Sequence, residues 1–186
     1  MAEDARNTEP SFRDSALQYL DGLYAYAMTL ARNQAEAEDL VQETYLRALQ
    51  AFHRLRPDSN LKSWLFTILR NLRLNQVRDG LSKSRVVEMD EPGGGTREFE
   101  DKSLKDPLFV YLAKVTQADV RKAIEELPAT YREIIVLREF EELSYHEIAQ
   151  VLDCPCGTVM SRLKRARERL KELLQHWSLA TSEAGQ

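Results

Sequence analysis

SYHEIAQVLDCPCGTVMSRLKRARERLKELL, the stretch from Ser144 to Leu174, decides the architecture of this chain. Ser144 and Glu147 stand in the S-x-x-E spacing of a capping box, in which each residue satisfies a backbone N–H at the start of a helix. Ile148, Ala149, Val151 and Leu152 follow as the apolar side of that short helix. Asp153-Cys154-Pro155 stops it, and a long helix begins near Cys156. Two helices joined by a turn of about three or four residues make a helix-turn-helix.

The second helix of the pair has two resolvable faces. At about 100° per residue, Val159, Leu163, Ala166, Leu170 and Leu173 fall on one side. Thr158, Arg162, Arg165 and Arg169 share a neighbouring wedge of roughly 60°. Arginine forks and a hydroxyl in a row suit phosphates and guanine edges in a major groove. A solvated basic helix end would carry similar arginines, favoured by the helix dipole. The capped short helix, the tight turn and the basic partner helix together point to DNA.

Working outward, a helix near Thr116–Glu126 carries Val120, Ile124 and Leu127, and Pro128 suits the first turn of the next helix, Ala129–Phe140. That helix is expected to bury Tyr131, Ile134, Ile135 and the stems of Leu137 and Arg138. Upstream, the stretch from about Gly80 to Lys105 loses helical periodicity and contains Pro92-Gly93-Gly94-Gly95, the composition of a tether. Before it, Leu17, Leu20, Leu23, Tyr24, Ala27 and Leu30/Ala31 step along one helix, and Asn33 breaks it. Ala37, Leu40, Val41, Tyr45 (or Thr44), Ala48, Leu49 and Phe52 mark a second helix. After Pro57, a third runs from about Leu61 to Asp79 with Trp64, Leu65, Ile68, Leu69, Leu72 and Val77 as its apolar members. No sustained strand alternation occurs. The expected fold is all-α: two small helical domains, 12–79 and 116–176, joined by a flexible acidic linker, 80–115.

The 186 residues are 43% hydrophobic and 30% charged, the composition of a globular protein. No apolar run nears the roughly 18 residues of a membrane span, and the polar, acidic N-terminus lacks the features of a signal peptide. A cytoplasmic protein without membrane insertion is expected. The net charge of −4 conceals two basic patches. Leu61–Arg85 holds six Lys/Arg against Asp79, and Gly157–Lys171 holds six against Glu168. The acids collect between Glu88 and Asp106, seven against three Lys/Arg. Local potential of this kind steers nucleic-acid binding more than net charge does. Cys154 and Cys156, one residue apart, read as small packing residues: a disulfide between them would be strained, and Cys-x-Cys supplies too few ligands for a metal. No metal or other cofactor is expected.

Pro155-x-Gly157-Thr158-Val159-x-Ser161-Arg162-Leu163-x-Arg165-Ala166-Arg167 closely resembles region four of extracytoplasmic-function sigma factors, which recognises the minus-thirty-five promoter element. The preceding LPATYREIIVLREFEELSYHEIA is similar to the same region. Asp39-Leu40-Val41-Gln42-Glu43-x-x-x-Arg47-Ala48 resembles region two, whose helix grips the clamp helices of the polymerase largest subunit. Asp39, Gln42, Glu43 and Leu46 lie off the apolar stripe, an acid-amide face with one exposed leucine that fits a basic partner helix; a merely solvated acidic face would look alike. LKSWLFTILRNLRLNQVRD, Leu61–Asp79, resembles the part of region two that opens the minus-ten element. There Arg70, Arg73 and Arg78 supply phosphate attraction, and Asn71 and Asn75 offer donors and acceptors to an extruded base. By its distance from Trp64, Asn71 matches a position lining the family's flipped-base pocket; Asn60 and Lys62 in the preceding loop are further candidates. The resemblance implies that Trp64 packs in the core and does not stack on a base. It also implies core RNA polymerase as partner, with the flap meeting region four, promoter DNA bound through Thr158, Ser161, Arg162, Arg165 and Arg169, and control by an anti-sigma factor.

An enzyme finds little support: G-x-x-x-x-G-K-[ST], G-x-G-x-x-G and H-E-x-x-H are all missing, and His53, His146 and His176 are scattered. A conventional helix-turn-helix regulator with an N-terminal sensor or dimerisation domain explains residues 116–175 equally well but leaves the first domain's two motifs as coincidences. A decoy adaptor for an anti-sigma factor is opposed by the intact basic residues of both patches.

Overall fold

The computed structural model describes residues 12, 15–56, 59–81 and 117–183. Among them the helices are α1 (Leu20–Leu30), α2 (Gln34–Ala51), α3 (Leu61–Leu81), α4 (Gln117–Glu125), α5 (Ala129–Ile135), α6 (Tyr145–Leu152) and α7 (Cys156–Glu183), and no strand occurs. A 3₁₀ turn, Phe52–Arg54, follows α2, and α5 runs on as a π-helical turn, Val136–Phe140. Nearly all of the expected acidic linker, 80–115, lies outside the described residues.

Three of the helices begin where a side chain satisfies one of their first N–H groups. Asn33 caps α2, its side chain accepting from the Glu36 N–H at 2.9 Å, while Glu36 accepts from the Arg32 N–H at 3.0 Å. Asn60 caps α3 by accepting from the Ser63 N–H at 3.3 Å. Pro128 stands just ahead of α5, at its N-cap, one position earlier than its ring alone suggested. The capping box on α6 is present: Ser144 N–H donates to Glu147 Oε2 at 2.7 Å, and Glu147 N–H to Ser144 Oγ at 3.3 Å. Asp153 closes α6 in the left-handed region, φ 47°, which aspartate tolerates better than most residues, and α7 starts after the Pro155 turn.

α1, α2 and α3 pack together as one domain, and α4 to α7 as the other. Leu23, Tyr26, Ala27, Ala37, Leu40, Val41, Thr44, Ala48, Leu65, Phe66, Leu69 and Leu72 fill the first. Ala123, Ile124, Leu127, Ile134, Ile135, Leu137, Ile148, Val151, Val159, Leu163, Ala166, Leu170 and Leu174 fill the second. Three expectations are corrected. Leu17 and Leu20 are exposed, because the chain turns at Gln18-Tyr19 and α1 starts only at Leu20. Val77 is exposed, because the buried stripe of α3 ends at Leu72. Trp64, by contrast, packs partly buried against the core and edges a cleft between the domains.

The domains do not stand apart. α3 packs against α6, α1 against α5 and its π-turn, and the buried apolar side chains form one continuous cluster. The π-turn prepares this junction. Glu141 N–H reaches the Val136 carbonyl at 3.0 Å, and Glu142 sits at φ 54°. Together they turn the chain so that Glu141 is buried, while Arg167 on α7 grips Glu139 through Nε and Nη2 at 2.9 and 2.7 Å.

Ser144→Ala should lower stability by about 1 kcal/mol in chemical denaturation, the usual loss of a cap. Burial pushes the Glu147 carboxyl up, but hydrogen bonds from the Ser144 side chain and backbone and from Asn60, with Lys62 nearby, hold it below its ordinary value. The fold therefore favours its ionised form, a contribution complete above about pH 4.3 and lost as pH falls through the depressed native value. The difference in thermal midpoint between the wild type and Glu147→Gln should be open at pH 7 and narrow below about pH 4.

Candidate nucleic-acid and polymerase interfaces

α7 carries its basic face as a continuous strip. Ser161, Arg165 and Arg169 are exposed, and Thr158 and Arg162 half-buried. Val159, Leu163, Ala166 and Leu170 anchor the opposite side; Leu174 completes it, with Leu173 only partly covered. Ser161 Oγ donates to the Thr158 carbonyl at 3.1 Å, and Arg169 meets Glu172 at 2.8 Å in an exposed pair that contributes little to stability. The strip suits a major groove: a helix seated on a packed base, with arginine forks outward.

A second surface lies between α2 and α3. Asp39, Gln42, Glu43, Leu46 and Arg47 line a groove of about 460 Å³ with Leu72, Asn75, Gln76 and Asp79 of α3. Leu46 is 56% exposed, and Leu74 and Val77 on α3 are exposed as well. Arg47 and Glu43 pair at 2.7 Å, which sets the groove's one lining arginine against its central acid. Acids, amides and exposed leucines on one wall are complementary to a basic amphipathic helix.

The residues expected to serve the minus-ten element divide into two groups. Asn71 and Arg78 are exposed, and Arg78 donates to Asn75 Oδ1 at 2.6 Å, so Asn75 belongs to the α2–α3 groove. The Arg73 side chain is only 16% exposed and lies 3.6 Å from Glu36. Asn60, Lys62 and Arg70 are met by the other domain. Arg70 Nε donates to Glu133 Oε1 at 2.9 Å, and the Tyr26 hydroxyl donates to the same oxygen at 2.7 Å. Lys62 Nζ pairs with Glu141 Oε2 at 3.0 Å and donates to the Glu141 carbonyl at 2.6 Å, lying over the Tyr19 and Phe66 rings. Asn60 donates to Glu147 Oε1. Beside these contacts a cleft of about 530 Å³ is lined by Asn60, Trp64 and Thr67 on one side and Ser144, Glu147 and Gln150 on the other.

Sequence reasoning did not single out Glu133, Glu141, Tyr26 or Gly22 as partners in this junction. A Cβ on Gly22 would run into the Glu141 carboxylate, so the glycine admits the acid. Burial, followed by the Glu133 charge, drives the Tyr26 hydroxyl well above its ordinary pKa, keeping it a donor. A glycine inside the apolar helix Leu20–Leu30 was the one sequence signal of a close approach.

Comparison with known proteins gives these surfaces a context. Residues 16–82 match the family described as Sigma-70 region 2, and residues 117–170 the one described as Sigma-70, region 4. Over 164 residues the chain is 37% identical to the ECF RNA polymerase sigma factor EcfG of Rhodopseudomonas palustris, covering 88% of this chain and 85% of that one. The chain is an extracytoplasmic-function sigma factor. It is thus a transcription-initiation factor and not an enzyme. The solved structure of the sigma factor RpoE in complex with the anti-sigma factor NepR from Bartonella quintana is similar, with TM-score 0.65 and 34% identity over 89% of this chain and 97% of that one. So is CnrH in complex with the cytosolic domain of CnrY, with TM-score 0.60 and 26% identity over 94% of each. Among the described residues of this sigma factor, no helix is long and apolar enough to cross a membrane.

The two thiols of the sigma factor differ in setting. Cys156 is exposed at the start of α7, while Cys154 is half-buried, and burial pushes its thiol up against the opposing pull of Arg162 and Arg70. Iodoacetamide at pH 7.5 should modify Cys156 well before Cys154, read by peptide mass spectrometry; equal rates would contradict the thiol settings.

Proposed function

We propose that the three surfaces divide the work of initiation among them. The α2–α3 groove, through Asp39, Gln42, Glu43, Leu46 and Arg47, takes the clamp helices of the polymerase largest subunit. α3 and the residues before it, Asn60, Lys62, Arg70, Asn71, Arg73, Asn75 and Arg78, hold the melted minus-ten strand. Thr158, Ser161, Arg162, Arg165 and Arg169 dock α7 in the major groove of the minus-thirty-five element, and the domain 116–176 also meets the polymerase flap. Domain 12–79 acts as region two, and 80–115 as the linker that sets the allowed spacing. The factor works in the cytoplasm and is held in check by an anti-sigma protein, as RpoE and CnrH are bound in their complexes.

The observation that carries this reading is the convergence of five residues from one α2 motif on a single groove shared with α3. An acidic, amide-rich groove repels nucleic acid and attracts a basic helix, whereas the arginine strip of α7 does the reverse. The same chain therefore has separate chemistry for a protein partner and a DNA partner, which a conventional regulator does not need.

In vitro transcription with core polymerase on genomic fragments tests the whole, with protein-dependent transcripts as the expected outcome. Arg165→Ala should cost about 1–3 kcal/mol in upstream-element recognition while leaving the affinity for core unchanged. Asp39→Ala with Gln42→Ala should do the opposite, raising the dissociation constant for core by about tenfold or more in a titration of labelled factor. Loss of both activities in either variant would contradict the division of labour.

A further inference from the structure

We infer that the second domain is itself a ligand of the strand-binding face of α3: Glu133, Glu141 and Glu147 accept from Arg70, Lys62 and Asn60 as phosphates would, and close the free factor to single-stranded DNA. The inference rests on the assignment of that face to the melted strand.

Three independent contacts make the case. Each acid comes from a different part of the second domain: α5, the end of the π-turn and the first turn of α6. Each meets a different member of the proposed strand-binding set, with Arg70 Nε to Glu133 at 2.9 Å, Lys62 Nζ to Glu141 at 3.0 Å, and Asn60 to Glu147. The pairs are well covered: side-chain exposures are 16% and 13% for Arg70 and Glu133, and 23% and 9% for Lys62 and Glu141. A carboxylate and a phosphate make the same demand on an arginine fork or an ammonium, namely charge-assisted N–H···O bonds. A strand cannot use these donors while the acids hold them. The chain is also shaped for the approach, since Gly22 leaves room for the Glu141 carboxylate where any side chain would displace it.

The closed form cannot serve a promoter. α6 lies directly on α3, and α7 follows α6 after a three-residue turn, so the two DNA surfaces are neighbours. Elements centred at minus ten and minus thirty-five lie roughly 25 base pairs apart, about 85 Å along the duplex at about 3.4 Å per pair. The thirty-five residues between Leu81 and Gln117 can reach about 120 Å when extended, enough to let the domains part. Initiation therefore exchanges the three internal acids for polymerase and DNA contacts, and the free factor rests with its donors engaged.

The test uses the full chain. Glu133→Gln, Glu141→Gln and Glu147→Gln together remove the three charges while retaining acceptors, and Gln still completes the α6 capping box. Gly22→Ala opposes the same closure without changing any charge, and alanine favours the helix. Small-angle X-ray scattering reads domain separation without DNA, and fluorescence anisotropy with a labelled single-stranded 12-mer of mixed sequence reads the uncovered face. The triple variant should show a larger radius of gyration and bind the 12-mer at least tenfold more tightly than wild type. Gly22→Ala should move both readouts the same way by a smaller amount, with helix content by circular dichroism undiminished. A control triple at exposed acids, Glu125→Gln, Glu126→Gln and Glu168→Gln, makes the same change in net charge and should move neither. A triple variant as compact as wild type, or open but no tighter on the 12-mer, or matched by the control, would overturn the inference. Failure of the underlying assignment is read separately, in holoenzyme on a pre-melted promoter bubble. If Asn71→Ala with Arg73→Ala transcribes normally there, the strand-binding reading of α3 is lost; if it is impaired while the triple variant gains nothing, only the internal ligand is lost.

Discussion

One carboxylate oxygen, Glu133 Oε1, accepts from both the Tyr26 hydroxyl and the Arg70 guanidinium, and the meeting of the two halves of this protein is organised around it. An acid this far from solvent is costly unless its charge is matched and its lone pairs are engaged, and both conditions are met only from the other domain. Tyr26 also packs on Phe66, with ring centroids 5.2 Å apart, so the polar contact is ringed by aromatic surface. The same surface receives the Lys62 ammonium, whose partners Glu141 and Phe66 complete the seal. Removing any one member would leave a charge or a donor without its partner in a partly dry setting, a loss larger than an exposed salt bridge could account for.

Local features elsewhere follow from this meeting. The π-turn after α5 spends one residue more than an α-helix would, and the chain leaves it through Glu142 in the left-handed region. Both are departures from the relaxed helix that concentrate where structure serves a specific contact. Arg167 holding Glu139 fixes the turn to α7. In consequence, the arginine strip of α7 and the acids that meet Arg70, Lys62 and Asn60 are carried on one support.

Much of the fold was legible because it is written in local spacing. Ser144 and Glu147, Asp153 and Pro155, and the period of Val159, Leu163, Ala166 and Leu170 each act within a few residues, and each element stands where those signals put it. The α2 motif was legible for the same reason, since Asp39, Gln42, Glu43 and Leu46 are off the apolar stripe of a single helix. What escaped was the long-range pairing. Glu133 meets a residue 107 positions away in Tyr26 and one 63 away in Arg70, and no periodicity connects them. Three residues expected to serve DNA, Asn60, Lys62 and Arg70, are also met by acids of the second domain. Leu17, Leu20 and Val77 were misjudged because a stripe of apolar residues does not report where its covering helix ends.

The order of the acids in the chain has a temporal consequence. The first domain is complete at Leu81, but Glu147, the last acid to cover α3, is encoded sixty-six residues later. At about 5–20 residues per second, a ribosome needs roughly 3–13 s to supply it. During that interval the nascent first domain presents Arg70, Lys62 and Asn60 without the second domain to cover them. Each newly made molecule thus begins life in an uncovered form, and the time it takes to finish translation sets how long that form lasts.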